Sequence, residues 1–335
     1  MQKYTELYEK LGPLFMIGIP GLSIDDSTKR FINDFRINNF ILFSRNVESP
    51  DQLRSLCVDI KVACQQAGLG NPIISIDQEG GTVARLPEPF TQFEDARVCG
   101  DSFDPEKAVV DYAETCASEL IDIGINMNLA PVLDVCPVGQ GYFMEKRSLG
   151  DDPYKVGRLG ALLINAMQNK GVAACGKHFP GLGAAKLDPH LELPFVERSL
   201  EQLQQEDLVP FRDAIDAGVA GIMTSHTMYS GLDPEHLATL SKKILTDLLR
   251  QELGYAGVII TDDLEMGAIE NERSVNKAAL EAFVAGADML LICHEHSKVE
   301  ASLETFSAAL DAGVISLDRV ASSVKRIGIV RHRFG

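Results

Sequence analysis

Short apolar runs alternate with amphipathic helical patterns along this chain, and that alternation constrains its fold more than any other feature. Eight runs have the length and composition of strands: residues 14–20, 39–44, 72–77, 125–129, 172–176, 221–225, 257–261 and 287–292. Nearly all are apolar at consecutive positions, so both faces need cover, as in a parallel sheet flanked by helices. Eight such units without a long linker predict a (β/α)8 barrel of the TIM type, with residues 1–335 as a single catalytic domain. A doubly wound sheet is the alternative, but no Gly-x-Gly-x-x-Gly follows an early strand, so a dinucleotide site has no support.

The intervening helices carry start and stop signals. Ser49-Pro50-Asp51 places a capping serine before a proline at the first helical position. Leu53, Leu56, Cys57, Ile60, Cys64 and Ala67 then recur at helical spacing until Gly68. Asp104-Pro105 and Asp152-Pro153 repeat the device, and Ser199 and Ser241 read as caps of two more helices. Pro210 predicts a kink or split within residues 200–217.

Composition narrows the function. A net charge of −17 argues against nucleic acid as partner, since neutralising phosphates needs clustered Lys and Arg. No stretch approaches the roughly 18–20 apolar residues of a membrane span. The first residues lack a basic region followed by an apolar one, which predicts a cytoplasmic protein, a monomer or weak homo-oligomer. The seven cysteines are scattered and never spaced Cys-x-x-Cys, so they read as small buried hydrophobes in a reducing compartment rather than zinc ligands. No cofactor or metal is expected.

If the barrel is right, chemistry belongs just beyond the strand ends. Asp77, Asp134, Lys177-His178, His226 and Asp262 all fall there. Residues 177–183, Lys-His-Phe-Pro-Gly-Leu-Gly, read as a flexible Gly/Pro-rich loop bearing titratable groups. Asp262 ends an apolar run, where an ionised carboxylate can attack an anomeric carbon; its plain alternative is a helix cap, a role that suits Asp263 better. Asp188 and His190 can meet across a bend fixed by Pro189, the carboxylate setting the tautomer of an acid/base imidazole. Asp188 can equally just cap a turn. Lys177 and His178 suit hydroxyl and carbonyl recognition, or a structural ion pair and a core histidine. Asp77 can accept two sugar hydroxyls, and the adjacent Gly80-Gly81 pair lets a ligand approach the backbone. Arg85 and Arg147 mean little alone. Glu79, His226 and His294 are taken as structural.

Several of these segments agree with one family. Asp77-Gln78-Glu79-Gly80-Gly81, Arg147-Ser148-Leu149-Gly150, Lys177-His178-Phe179-Pro180-Gly181, the pair Asp188 and His190, and Thr261-Asp262-Asp263-Leu264-x-Met266 together resemble the signature set of family 3 glycoside hydrolases. The Asp-x-His element resembles the bacterial β-N-acetylglucosaminidase branch, and the short chain resembles the cytoplasmic enzymes that recycle peptidoglycan fragments. The resemblance implies a retaining reaction with Asp262 as nucleophile, His190 as acid/base and Asp188 as its partner. It implies that Asp77, Arg85, Arg147, Lys177 and His178 hold an N-acetylglucosamine unit of a muropeptide-type substrate. Leu182, Pro189 and Thr82 depart from the family pattern, and the loop 139–146, with Tyr142, Phe143 and Met144, is unusual. Competing readings are a phosphorylase using phosphate in place of water, another family 3 β-glycosidase, a metal-dependent hydrolase using His178, His190, His226 and Asp262, a lyase with a Schiff base on Lys177, and a barrel that binds sugar without catalysis.

Overall fold

A computed structural model describes residues 2–183, 185 and 194–335 of the chain. Its core is a parallel barrel of eight strands: β1 (Phe15–Gly18), β2 (Asn39–Leu42), β3 (Ile73–Ile76), β4 (Met127–Asn128), β5 (Ala173–Phe179), β6 (Gly221–Thr224), β7 (Val258–Ile260) and β8 (Leu290–Ile292). They pair in the order β7-β6-β5-β4-β3-β2-β1-β8, and a parallel bridge between Ile260 and Met289 joins the two ends. Each strand falls within or overlaps its expected run. Every residue of β1, β2, β3 and β5 is buried, which is why their sequences do not alternate.

The helices begin where the sequence signals them. Helix Pro50–Gln66 is capped by Ser49, which accepts from the Gln52 amide, and buries Leu53, Leu56, Cys57, Ile60 and Cys64 against the sheet. Each large aliphatic side chain so buried contributes roughly 1.5–3 kcal/mol. Asp104 and Asp152 cap helices Pro105–Ile123 and Pro153–Asn169 in the same way. Ser199 forms a capping box with Gln202, and the predicted break is present: helix Leu200–Gln205 stops and Val209–Asp216 restarts with Pro210 in its first turn.

The seam between β7 and β8 is held by a buried carboxylate. Asp288, fully buried, accepts the Ile259 amide at 3.1 Å and Arg250 Nη2 at 2.6 Å through Oδ2, and Arg326 Nη1 at 3.0 Å through Oδ1.

Two expectations need correction. Lys177 and His178 are not in a flexible loop: β5 runs on through Phe179, and both are buried in it, because their polar ends find carboxylate partners there. A three-stranded sheet of Phe195–Val196, Met228–Tyr229 and Asp233–Leu237 was not anticipated; two of its strands have only two residues, too short to leave a periodic pattern.

Candidate active site

The carboxyl ends of the strands converge on a cavity of about 350 Å³. Asp77 and Arg85 line it from beyond β3, Asp262 and Asp263 from beyond β7, and His294 from beyond β8, while Met223 and Leu291 contribute apolar surface.

Asp262 stands two residues past the end of β7, and its Oδ1 accepts the Asp263 amide at 2.8 Å. Burial opposes ionisation of this carboxyl, but His178, His226, the Asp263 amide and Lys177 outweigh it and hold the group below the ordinary carboxylate range. A carboxylate kept anionic in a partly desolvated cleft is suited to nucleophilic attack. The expected helix-cap role for Asp263 is not realised: the next helix, Gly267–Glu270, starts later, and Asp263 Oδ1 instead accepts the Glu265 amide in a tight turn.

Asp77 belongs to a chain of alternating charges that starts at Arg85. Its Oδ1 accepts Lys177 Nζ at 2.7 Å and its Oδ2 faces Arg85 Nη2 at 3.5 Å. Lys177 Nζ also meets Glu79 Oε1 at 2.6 Å, and Glu79 takes Arg147 in a bidentate pair, 2.8 Å from both Nε and Nη2. Gln78 orients the segment, its side-chain oxygen accepting the Arg85 and Leu86 amides. Gly80 and Gly81 have φ of 101° and 53°. The space their missing Cβ atoms leave is filled by the Glu94 carbonyl and Asp95, so neighbouring chain, not a ligand, makes the close approach anticipated there.

His178 is set by Asp134, a fully buried residue beyond β4. Asp134 Oδ2 lies 2.8 Å from His178 Nδ1, and Asp134 also accepts the His178 and Leu182 amides. An ionised Asp134 makes Nδ1 the donor and so fixes the tautomer. Leu182, a departure from the family motif, is buried and loses nothing at this contact, which uses only its amide. Thr82 donates its amide and hydroxyl to Asp95. The unusual loop 139–146 coils around Glu145, whose Oε1 accepts the amides of Gln140, Gly141 and Tyr142. It places the Phe143 ring 5.1 Å from the Arg147 guanidinium and Met144 fully buried beside it, supporting Arg147 by packing.

Of the residues singled out in the sequence, Asp77, Arg85 and Asp262 line the cavity. Lys177 and Arg147 reach it through the charge chain, and His178 stands with Asp134 nearby. Asp188 and His190 lie outside the described residues. His226 is buried, its Nε2 donating to the Asp263 carbonyl at 2.9 Å and its Nδ1 2.7 Å from Thr239 Oγ1, so its ring nitrogens are engaged rather than presented to a metal. Among the described residues, Asp233, Glu235 and His236 are grouped closely enough to hold an ion, but none lines the cavity, and Asp233 is engaged by Ser241 and His236. Sequence reasoning assigned no role to Asp134 and left Glu79 structural. Asp134 carried the same signal as Asp77, a carboxylate directly after an apolar run. The pairing of Glu79 with Arg147 carried none, since 68 residues separate them.

An eight-stranded parallel barrel with carboxylates and cations ringed around the carboxyl ends of its strands has the build of a (β/α)8 enzyme. The description "Glycosyl hydrolase family 3 N terminal domain" matches residues 6–330, and the chain belongs to that family of glycoside hydrolases. It is 36% identical over 294 residues to a β-hexosaminidase of Nitrosomonas eutropha, covering 85% of this chain and 81% of that one. A solved family 3 β-N-acetylglucosaminidase from a Paenibacillus species superposes with a TM-score of 0.92 at 37% identity over 98% of this chain; the chain spans only 62% of that longer protein. NagZ from Neisseria gonorrhoeae, solved with N-trifluoroacetyl-D-glucosamine, superposes with a TM-score of 0.78 at 29% identity, covering 95% of this chain and 98% of NagZ. No helix among the described residues is long and apolar enough to cross a membrane.

Proposed function

We propose that this protein is a retaining β-N-acetylglucosaminidase that releases terminal β-linked N-acetylglucosamine from muropeptide-type fragments in the cytoplasm, residues 1–335 acting as one catalytic domain. The observation that carries this reading is Asp262, a carboxylate held anionic at the wall of a cavity whose other walls offer Asp77 and Arg85 to sugar hydroxyls. The names of the family relatives support the choice of sugar.

In the proposed reaction an Asp262 oxygen attacks the anomeric carbon as the bond to the leaving oxygen breaks. His190, partnered by Asp188, gives that oxygen its proton and then takes one from the water that cleaves the glycosyl-enzyme ester. A histidine acid/base is cationic before it gives its proton and neutral afterwards, so it never places a second negative charge beside the nucleophile, unlike the paired carboxylates of most retaining enzymes. Lys177, His178 and Arg147 support the binding of the sugar together with Asp77 and Arg85.

The test is release of 4-nitrophenol from its β-N-acetylglucosaminide. Wild type should turn over, and Asp262→Asn and His190→Ala should each lose roughly 10³-fold or more in kcat. Cleavage of the β-glucoside instead would overturn the choice of sugar, and an active Asp262→Asn would overturn the nucleophile. A sugar 1-phosphate product in phosphate buffer would make the enzyme a phosphorylase.

A further inference from the structure

Glu79 bonds to two proposed sugar-binding residues, Lys177 and Arg147, yet it does not line the cavity. It is 4% exposed, and both its oxygens are committed: Oε1 to Lys177 Nζ at 2.6 Å and Arg147 Nη2 at 2.8 Å, Oε2 to Arg147 Nε at 2.8 Å. Lys177, 3% exposed, divides its three N–H donors between Glu79 and Asp77, and Asp77 does face the cavity. Arg147, Glu79, Lys177 and Asp77 thus form a chain of alternating charge that Arg85 continues, with Asp77 and Arg85 at the cavity.

Taking the sugar-binding reading above as its basis, we infer that Glu79 is a positioning residue: it fixes the Lys177 ammonium and the Arg147 guanidinium, and through Lys177 it sets the orientation of Asp77 toward the sugar. Without its charge, two buried cations would share what remains. Arg147 feels Asp134 and Asp77 next after Glu79, so a released guanidinium would compete for the carboxylate that holds His178 and for the one that faces the ligand. Lys177 would keep Asp77 as its one close carboxylate. Its surroundings are otherwise Arg147, which disfavours its charge, and the Cys175 thiol two residues back on β5, with the Asp262 carboxylate facing it from β7.

That arrangement has a readout that a purely structural role would not move. Burial alone would lower the Lys177 ammonium, but Asp77 and Glu79 together hold it above the ordinary lysine range. Glu79→Gln removes one of the two carboxylates, so Lys177 should lose its proton at lower pH; the alkaline limb of kcat/KM reports the general acid His190, so the readout is the Lys177 titration itself. Loss of one charged hydrogen bond to the sugar-binding set should also raise KM about tenfold or more, with kcat falling less. Glu79→Asp keeps the charge but falls one methylene short, so it should restore the Lys177 titration while leaving KM raised.

The experiment measures pH profiles of wild type, Glu79→Gln and Glu79→Asp on the 4-nitrophenyl substrate, and follows Lys177 by NMR in protein enriched with 13C-lysine. A downward shift of the Lys177 titration in folded Glu79→Gln, restored in Glu79→Asp, is the expected result. An unmoved Lys177 titration and unchanged KM in a variant with lowered Tm would overturn the inference and leave Glu79 as a stabilising ion pair. If Glu79→Gln fails to fold, a raised KM with a wild-type Lys177 titration in Glu79→Asp supports the inference, and a wild-type KM overturns it. Failure of wild type to cleave the substrate would sink the proposed activity instead, and the Lys177 titration would still decide the role of Glu79.

Discussion

Asp207 sits beneath Gly181, close enough that a Cβ on the glycine would stand 2.6 Å from its own. The carboxylate is fully buried, with Oδ2 at 2.9 Å from Arg198 and Oδ1 without a hydrogen bond among the described residues. Burial pushes this carboxyl up to about 7; Arg198 opposes the rise, and Glu206 and Asp134 add to it. A folded-state value above the unfolded one means stability that is full below the ordinary carboxylate range and is lost as pH rises through about 7. Asp207→Asn should therefore flatten the dependence of Tm on pH between about 4 and 7, an effect on the order of a few kcal/mol. Parallel melting curves for variant and wild type would show that the charge is tolerated. Asp134 yields a second expectation. An amide there presents a donor to His178 Nδ1, so Asp134→Asn should favour the opposite tautomer and cut kcat/KM by roughly 10²-fold or more, with Tm as the control for folding. At this scale legibility followed sequence locality. Carboxylates directly after apolar runs were visible, whereas partners such as Glu79 and Arg147 meet only once the barrel closes.

Helices and strands were the most legible part of the fold, because a cap or a buried run is written in adjacent residues. Ser49, Asp104 and Asp152 each do at their helix what their sequence suggests. The exception is instructive: β5 continues through Lys177 and His178, where two polar residues followed by Phe-Pro-Gly looked like a loop. Partners beyond β3 and beyond β4 turn those residues inward, and no local pattern encodes a partner that far away. Beyond β5 the chain passes hard against the β4 loop, since a Cβ on Gly183 would stand 1.9 Å from the Val135 carbonyl oxygen. Gly183→Ala should force the two loops apart at a cost of roughly 1–3 kcal/mol and impair turnover, seen as a lower Tm with a reduced kcat. A variant with wild-type Tm and kcat would mean that the loops can separate freely.

The whole molecule adds two terms that no single element contains. Its charge of −17 repels an anionic substrate, so kcat/KM for a muropeptide fragment bearing free carboxylates should rise with ionic strength, while the neutral 4-nitrophenyl substrate should show little change. Equal salt dependence for the two would show that the charge lies too far from the mouth to matter. Barrel closure is the other term. Asp288→Ala would strip the seam of its anchor and leave Arg250 and Arg326 without their shared carboxylate, a loss of roughly 3–5 kcal/mol measurable by denaturant unfolding. The strand that leads to Asp262 is one lip of that seam, joined to β8 and the residues before it by a short set of backbone hydrogen bonds, the Met289 amide to the Ile259 carbonyl at 3.1 Å and the Thr261 amide to the Met289 carbonyl at 3.0 Å among them. Heat therefore acts on the chemistry and on the architecture in sequence: the lip can drift by an ångström while seven other strands still hold, and an attacking oxygen tolerates no such drift. On warming, turnover should fade several degrees before the circular dichroism of the barrel changes, and the interval between the two should narrow in any variant that ties β7 more firmly to β8.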